Sequence, residues 1–292
     1  MDPKSLRSRY LRAILAAVFG LACILCYVAG RPFGADEDES GIVTVQSLPE
    51  LSLHVQHARS LPATEDYSKM LITGGLDSKA PSWISMLPKD MDATYFPVLD
   101  SSSNYVNKGH EAMFYLRYIV DNFDALPKYM VFVHDHKRAW HNSDSTDRSI
   151  VHLLSDVQWS FVEQEGFVNL RCQRKPNCPS ILPLQGFVRA GKMETFFEEA
   201  WSDVFEEEFG PLGQIAATCC AQFAVTRDAV HLRSLEFYQN LIHWLEDSDG
   251  TDWQLGRVLE YTWHIIFGKS LINCPDADVC RSNLYGYHPE LF

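Results

Sequence analysis

The chain has 292 residues, of which 46% are hydrophobic and 22% charged, a composition typical of globular proteins and not of disordered, collagenous or coiled-coil chains. Asp and Glu number 38 against 25 Lys and Arg, and the resulting formal charge of −13 would repel a nucleic-acid backbone. We therefore expect no nucleic-acid partner.

The first thirty residues have the pattern of a membrane anchor. Residues 13–30 contain no charged side chain and are long enough to cross a hydrocarbon core once. Four basic residues precede this segment, Lys4, Arg7, Arg9 and Arg12. Acidic residues follow it, so the positive-inside rule keeps the N-terminus in the cytosol. The sequence predicts a cytosolic tail over 1–12 and a transmembrane signal-anchor over 13–30.

A cleavable signal peptide is the alternative interpretation of this segment, with Val28 and Gly30 as small residues before the cut. Both interpretations place the rest of the chain outside the cytosol. We expect a single-pass type II membrane protein facing the lumen of the Golgi or endoplasmic reticulum, or otherwise a secreted protein. Residues 31–67 have the acidic, Pro- and Ser-containing composition of a stem, and 68–292 form the predicted lumenal α/β domain.

The domain begins with a strand–helix–strand pattern. Residues 69–73 and 94–99 indicate strands, and apolar residues at helical spacing indicate a helix over 111–123. The continuous apolar run 129–133 is typical of a strand buried on both faces. This order predicts parallel strands joined by a crossover helix.

Further elements follow in the second half of the chain. The predicted elements are a helix over 196–205 ended by Gly210-Pro211, a strand over 221–225, a helix from Leu235 with Ser234 as N-cap, and a helix over 253–267 ended by Gly268. The predicted fold class is α/β, with one mostly parallel, Rossmann-like sheet flanked by helices, behind the N-terminal transmembrane helix.

Six cysteines lie in the predicted lumenal part, enough for three disulfides whose pairing the sequence leaves open. Cys172 and Cys178, and likewise Cys274 and Cys280, each enclose a proline, as small stapled loops would. Adjacent Cys219 and Cys220 are expected to bond distant partners and not each other.

The first candidate site is His134-Asp135-His136, which directly follows the buried strand. Ligands of open α/β sheets bind in the crevice beyond the carboxyl ends of the strands. If the strand persists, His134 and His136 share one side and can bind one divalent ion, with Asp135 as a further ligand. The alternative is a strand-end turn whose histidines cap backbone groups.

The second candidate site lies on the last long helix. Glu260 and His264 are four residues apart, so a carboxylate and an imidazole can converge on one proton or one metal. Arg257 shares their arc and is a candidate for substrate binding. The alternative is a solvent-facing Glu–His pair.

A third candidate is Asn107-Lys108-Gly109, which precedes the helix at 111. Helix N-termini bind anions through free N–H groups, so these residues are candidates for binding a phosphate- or ribose-bearing substrate. A glycine turn followed by an acidic first-turn residue is the alternative. The chain has no G-x-S-x-G, Walker A, H-E-x-x-H or G-x-G-x-x-G motif, which disfavours the enzyme classes that these motifs mark.

Several segments resemble a fungal-rich family of uncharacterised single-pass or secreted proteins, DUF3431. They are NKGHEAMFYLRYIVDNFDALP (107–127), VFVHDHKRAWHN (131–142), GFVNLRC (166–172), CCAQFAVTR (219–227), FYQNLIHWL (237–245) and GRVLEYTWHIIFG (256–268). The chain departs from the family pattern at Lys137, where the family usually has Arg, and at Cys280, where it often has C-x-C.

The order of these parts is also similar to the nucleotide-sugar half of GT-A glycosyltransferases. That resemblance implies Mn²⁺ or Mg²⁺ bound by Asp135 with His134 or His136 on the diphosphate of a nucleotide sugar. It implies Glu260 as the base that deprotonates an acceptor, and His264 as a second base or ligand. We expect the two groups to lie within about 10–12 Å of each other, a span that one ion and a small substrate bridge.

Two other functions compete with this glycosyltransferase hypothesis. One is a different His-ligated metal enzyme, a hydrolase or oxygenase of secondary metabolism. The other is a non-catalytic, membrane-tethered binding protein that uses the same crevice.

Overall fold

The computed structural model describes residues 66, 68–99, 106–175, 178, 190–205 and 215–287. The predictions for residues 1–65 lie outside this set. In the part of the chain that is described, no helix is both long enough and apolar enough to span a membrane.

The described residues form seven strands and eight α-helices. In chain order they are β1 (Lys69–Gly75), β2 (Asp92–Pro97), α1 (Glu111–Asp121), β3 (Tyr129–Phe132), α2 (Ile150–Ser155), α3 (Trp159–Glu165), β4 (Phe167–Asn169), α4 (Ala190–Phe205), β5 (Ala216–Ala217), β6 (Phe223–Thr226), α5 (Arg227–Val230), α6 (Leu235–Asp247), α7 (Asp252–Ile266), β7 (Ile272–Asn273) and α8 (Ala277–Tyr285). Short 3₁₀ turns lie at Ser82–Met86, Phe123–Ala125 and Trp140–Asn142.

Five strands form the central sheet, in the order β2-β1-β3-β6-β4. β1 pairs in parallel with both β2 and β3, so α1 is the crossover helix that the strand–helix–strand pattern predicts. β6 runs antiparallel between β3 and β4, which makes the sheet mixed. β5 and β7 form a separate parallel pair. The α/β class with a mostly parallel sheet flanked by helices is therefore confirmed in this coarse form.

Both faces of the sheet are covered, and alternate residues of each strand enter opposite layers, as strand geometry requires. Ile72, Phe132 and Phe223 pack with residues of α1, α6 and α7. Their neighbours Leu71, Val131 and Ala224 pack with residues of α2, α3 and α8. This double burial explains the continuous apolar run of β3.

Ser234 and Gly268 lie at the helix ends where the sequence predicts them, and a capping box adds to them. The hydroxyl of Ser234 accepts a hydrogen bond from the N–H of Phe237 at the start of α6. Thr251 and Gln254 form a capping box at the start of α7. Gly268, just beyond α7, has a φ of 85°, which favours glycine.

Three disulfides form among the described residues, but their pairing differs from the predicted stapled loops. Cys172 bonds Cys280 and Cys178 bonds Cys274, with Cα–Cα distances of 5.5 and 5.6 Å. These bonds join the loop after β4 to the segment around α8. The segment 172–178 is therefore cross-linked to the segment 274–280, and neither is closed on itself.

Cys219 and Cys220 bond each other, which also corrects the sequence prediction. That prediction assumed that a bond between adjacent cysteines would be too strained to form. The chain is not extended here, because φ is 90° at Cys220 and 46° at Ala221.

Candidate active site at the carboxyl ends of the parallel strands

The candidate site lies where the sheet changes direction of winding. From β1, the chain adds β2 on one side and β3 on the other. Ligands of α/β sheets bind at such a switch point, because the connections diverge there and leave a crevice. Gly75 ends β1 and His134-Asp135-His136 follows β3, so both segments border this switch point.

The carboxylate of Asp135 rests directly against Gly75. A Cβ atom added to Gly75 would lie 2.1 Å from Asp135 Oδ2 and 2.9 Å from its Cγ. Gly75 therefore leaves the space that the carboxylate occupies. The Asp135 side chain keeps 28% of its surface exposed, so it remains accessible to a ligand.

Three neighbours surround Asp135. The indole Nε1–H of Trp83 donates to the Asp135 carbonyl at 2.9 Å, and His136 Nδ1 lies 3.2 Å from Asp135 Oδ1. Burial raises the pKa of Tyr95, and the negative charges of Asp135 and Asp77 raise it further. The Tyr95 hydroxyl thus stays protonated and donates to the Asp77 carbonyl at 2.9 Å.

His134 and His136 have separate partners, because β3 ends at Phe132 and strand alternation does not continue. The Nε2–H of His134 donates to the Cys220 carbonyl at 2.8 Å. This is the backbone-capping role left open by the sequence. The His136 side chain is 65% exposed beside Asp135.

Glu260 approaches the same region from α7. Its Oε1 accepts the Cys220 N–H at 2.8 Å and its Oε2 accepts from Arg257 Nη1 at 2.5 Å. The Glu260 side chain is 11% exposed. Arg257, the predicted substrate-binding residue, therefore holds the carboxylate in place from the preceding turn of the helix.

The segment Cys219–Gln222 connects these groups. Cys220 binds Glu260 through its N–H and His134 through its carbonyl, so about 9 Å at most separates His134 Nε2 from Glu260 Oε1. His134 and Glu260 therefore lie within the distance of about 10–12 Å expected between the strand-end triplet and the residues of α7. Their chemical roles stay a prediction.

The remaining bonds of this segment tie it to the sheet and to α1. The Tyr115 hydroxyl donates to the Ala221 carbonyl at 3.1 Å. The Gln222 side chain accepts from the His134 N–H at 3.2 Å and donates to Asn142 Oδ1 at 2.9 Å.

His264 lies one turn beyond Glu260 but has a different environment. It is 1% exposed, and its Nε2–H donates to the Leu271 carbonyl at 3.0 Å. Burial lowers its pKa to about 4, so the ring is neutral at pH 7. In the part of the chain that is described, no hydrogen bond or ion pair joins it to His134, Asp135 or His136. The structure therefore groups Glu260, and not His264, with the strand-end residues.

Asn107-Lys108-Gly109 packs α1 against the start of α7. The Nζ of Lys108 donates to the carbonyls of Glu246 and Ser248, and the Gly109 N–H donates to Asp252 Oδ1 at 3.0 Å. Gly109 has a φ of 74°, as the glycine-turn alternative requires. An anion bound here would have to displace Asp252 from the Gly109 N–H. Asn107 is exposed.

His141 extends the polar surroundings of His134. The two rings lie 4.9 Å apart, and the His141 Nε2 is buried without a hydrogen-bond partner among the described residues. Burial, together with the positive charges of His134, His136 and Arg171, lowers the pKa of His141 to about 4. This imidazole is neutral at pH 7.

The side chains around Asp135 can be tested as ligands for the predicted divalent cation. Within the described residues, no group of three or more His, Cys, Asp and Glu side chains is arranged to hold a metal ion. Mg²⁺, however, commonly binds one or two carboxylates together with substrate phosphates and water. Asp135, with His136 beside it, fits that shared mode and not a closed protein cage.

Sequence reasoning missed several residues that build the site. Gly75 and Gln222 carry no recognisable motif on their own, although the Gly74-Gly75 pair at a strand end is a signal for close approach. The sequence shows the adjacent cysteines Cys219 and Cys220 before a predicted strand, but it did not predict the disulfide between them.

The fold and the site define a mixed α/β protein with polar groups converging at the switch point of its sheet. The family model described as "Protein of unknown function (DUF3431)" matches residues 71–283. The chain belongs to this family. No curated protein and no solved structure matches it.

Proposed function

We propose that the protein is a metal-dependent glycosyltransferase that moves a sugar from a nucleotide-sugar donor to an acceptor hydroxyl. The observation that carries the proposal is the partly exposed Asp135 carboxylate, seated on Gly75 at the switch point of the sheet. This is the place where α/β folds bind nucleotides.

Charge supports the requirement for a cation. A diphosphate brought next to the carboxylate of Asp135, on a chain with a formal charge of −13, is repelled unless a positive ion lies between them. Asp135 and His136 would hold Mn²⁺ or Mg²⁺ together with the diphosphate. The ion would offset the charge on the departing diphosphate.

Glu260 is the proposed base. As the acceptor oxygen forms its bond to the anomeric carbon, the bond from that carbon to the diphosphate breaks, and Glu260 takes the acceptor proton. Hydrogen bonds from Arg257 and from the Cys220 N–H fix the orientation of the carboxylate.

The compartment is part of the proposal. We propose a type II protein facing the secretory lumen, anchored by residues 13–30. Three disulfides support an oxidising compartment, because the cytosol keeps thiols reduced.

The test is hydrolysis and transfer with a panel of nucleotide sugars and Mn²⁺. We expect Glu260→Gln to lower the rate about 10²–10⁴-fold, the range for loss of a general base. Asp135→Asn should remove the stimulation by metal. Asp124→Asn is the matched control, because Asp124 is exposed beyond the C-terminal end of α1 and should leave the rate unchanged.

Three results would overturn the proposal. Failure of every nucleotide sugar to bind or react would remove it. Tightly bound iron or copper would favour the other metal enzyme. Donor binding without turnover would favour the binding protein.

A further inference from the structure

The Cys219–Cys220 disulfide lies between the two halves of the candidate site. Cys220 donates its N–H to Glu260 and accepts from His134 on its carbonyl, both at 2.8 Å. A single peptide residue therefore fixes the position of the proposed base relative to the residues that follow β3. Any rotation of the Cys220 backbone moves both contacts together.

The backbone at this point has an uncommon conformation. Cys220 and Ala221 both have positive φ values, 90° and 46°, and neither is a glycine. Residues in sparsely populated backbone regions are strained and persist only where surrounding structure holds them. Here the disulfide and the Tyr115 hydroxyl bond to the Ala221 carbonyl hold the conformation.

The disulfide contributes little to the chain-entropy stability of the fold. It joins residues one position apart, whereas the Cys172–Cys280 and Cys178–Cys274 bonds span 108 and 96 residues. The stabilisation expected from a cross-link grows with the length of chain that it closes. Opening the Cys219–Cys220 bond should therefore change the local backbone and leave the domain folded.

We infer that the Cys219–Cys220 disulfide is a redox-sensitive positioning element. It keeps Glu260 and His134 hydrogen-bonded to the Cys220 backbone, and its reduction separates the two side chains. The inference rests on the proposed function for its catalytic consequence. Its structural part, the coupling of the disulfide to the two hydrogen bonds, is independent of any reaction.

The reduction is a thiol–disulfide exchange with a dithiol. One thiolate of the reductant attacks the sulfur of Cys220, which is partly exposed, whereas Cys219 is 2% exposed. The S–S bond breaks, Cys219 leaves as a thiolate and takes a proton, and a mixed disulfide forms. The second thiol of the reductant then releases Cys220 as a thiol, so the protein gains two electrons and two protons and the reductant becomes a disulfide.

The experiment follows the imidazole N–H of His134 by NMR in the full chain. We expect a slowly exchanging, hydrogen-bonded resonance in the oxidised protein, assigned by its loss in His134→Gln. Limited dithiothreitol, with alkylation and mass spectrometry to identify the reduced pair, should abolish the resonance when Cys219 and Cys220 are reduced. Cys219→Ser/Cys220→Ser should do the same in a protein that remains folded by circular dichroism.

A matched control separates this effect from general disulfide loss. Cys178→Ser/Cys274→Ser should keep the resonance. Persistence of the His134 signal after verified reduction of Cys219 and Cys220 would overturn the inference, as would its equal loss in the control.

Activity gives the second readout. If a nucleotide-sugar substrate is found, Cys219→Ser/Cys220→Ser should lower kcat at least tenfold with the donor KM within about twofold, because Glu260 and not the donor site is displaced. An unchanged kcat would also overturn the inference. If no substrate is found, the proposed function fails, and the resonance alone decides the inference.

Discussion

The buried imidazole of His264 links the stability of the fold to pH. Burial holds its pKa at about 4 in the folded protein, against a value near 6.5 in an unfolded chain. Between these values the unfolded state binds more protons, so stability is full above pH 6.5 and falls as pH drops towards 4. We expect this residue to contribute a loss of about 3 kcal/mol across that window, measured by urea unfolding.

Two variants isolate this contribution. His264→Gln should reduce the slope of stability against pH between pH 6.5 and 4, whatever it does to the absolute stability, and leave the part due to His141, whose pKa burial also lowers to about 4. His243→Gln, a substitution at an exposed position of α6, should retain it. An unchanged slope in His264→Gln would contradict the assignment.

The contact of Gly75 with Asp135 is a second residue-scale feature that can be tested. Gly75→Ala puts a methyl group where the carboxylate lies, and we expect a loss of about 1–3 kcal/mol in unfolding free energy. In an Asp135→Ala background the clash with the carboxylate is gone, so the same substitution should cost clearly less. Urea unfolding of the four proteins gives the coupling energy. Additive effects would show that the contact is not formed in solution.

At the scale of elements, the hydrophobic pattern of the sequence predicted the strands and helices that are determined by neighbouring residues. β1, α1 and β3 follow from apolar runs and spacing, and Ser234 caps α6 as its position before an apolar stripe suggests. The position of the candidate site at the end of β3 follows from the same reasoning. These features are fixed by residues close in sequence.

The sequence did not predict the direction in which strands pair or the contacts between residues that are distant in the chain. The four buried residues of β6 fit a parallel or an antiparallel neighbour equally well, and only their partners in β3 and β4 decide the direction. The three-residue strand β4 is too short to show a period. The role predicted for His264 assumed that residues four apart share surroundings, but buried His264 bonds the Leu271 carbonyl whereas Glu260 bonds the Cys220 N–H.

For the whole molecule, two disulfides join the loop after β4 to the C-terminal segment around α8. Cys172→Ser/Cys280→Ser should lower the free energy of unfolding by about 2–5 kcal/mol, because the bond closes a loop of about a hundred residues. Chemical denaturation under non-reducing conditions measures the loss. Cys219→Ser/Cys220→Ser, which removes a bond between neighbours, should change it by less than about 1 kcal/mol. Equal losses in the two variants would contradict this difference.

The side chains of the antiparallel strand β6 constrain its pairing register. Phe223 and Val225 fill one layer of the molecule and Ala224 fills the other. A slip of β6 by one residue against β3 and β4 would exchange these layers, placing an aromatic ring where the methyl group of Ala224 now lies. The two layers of side chains therefore select a single register for β6 between β3 and β4.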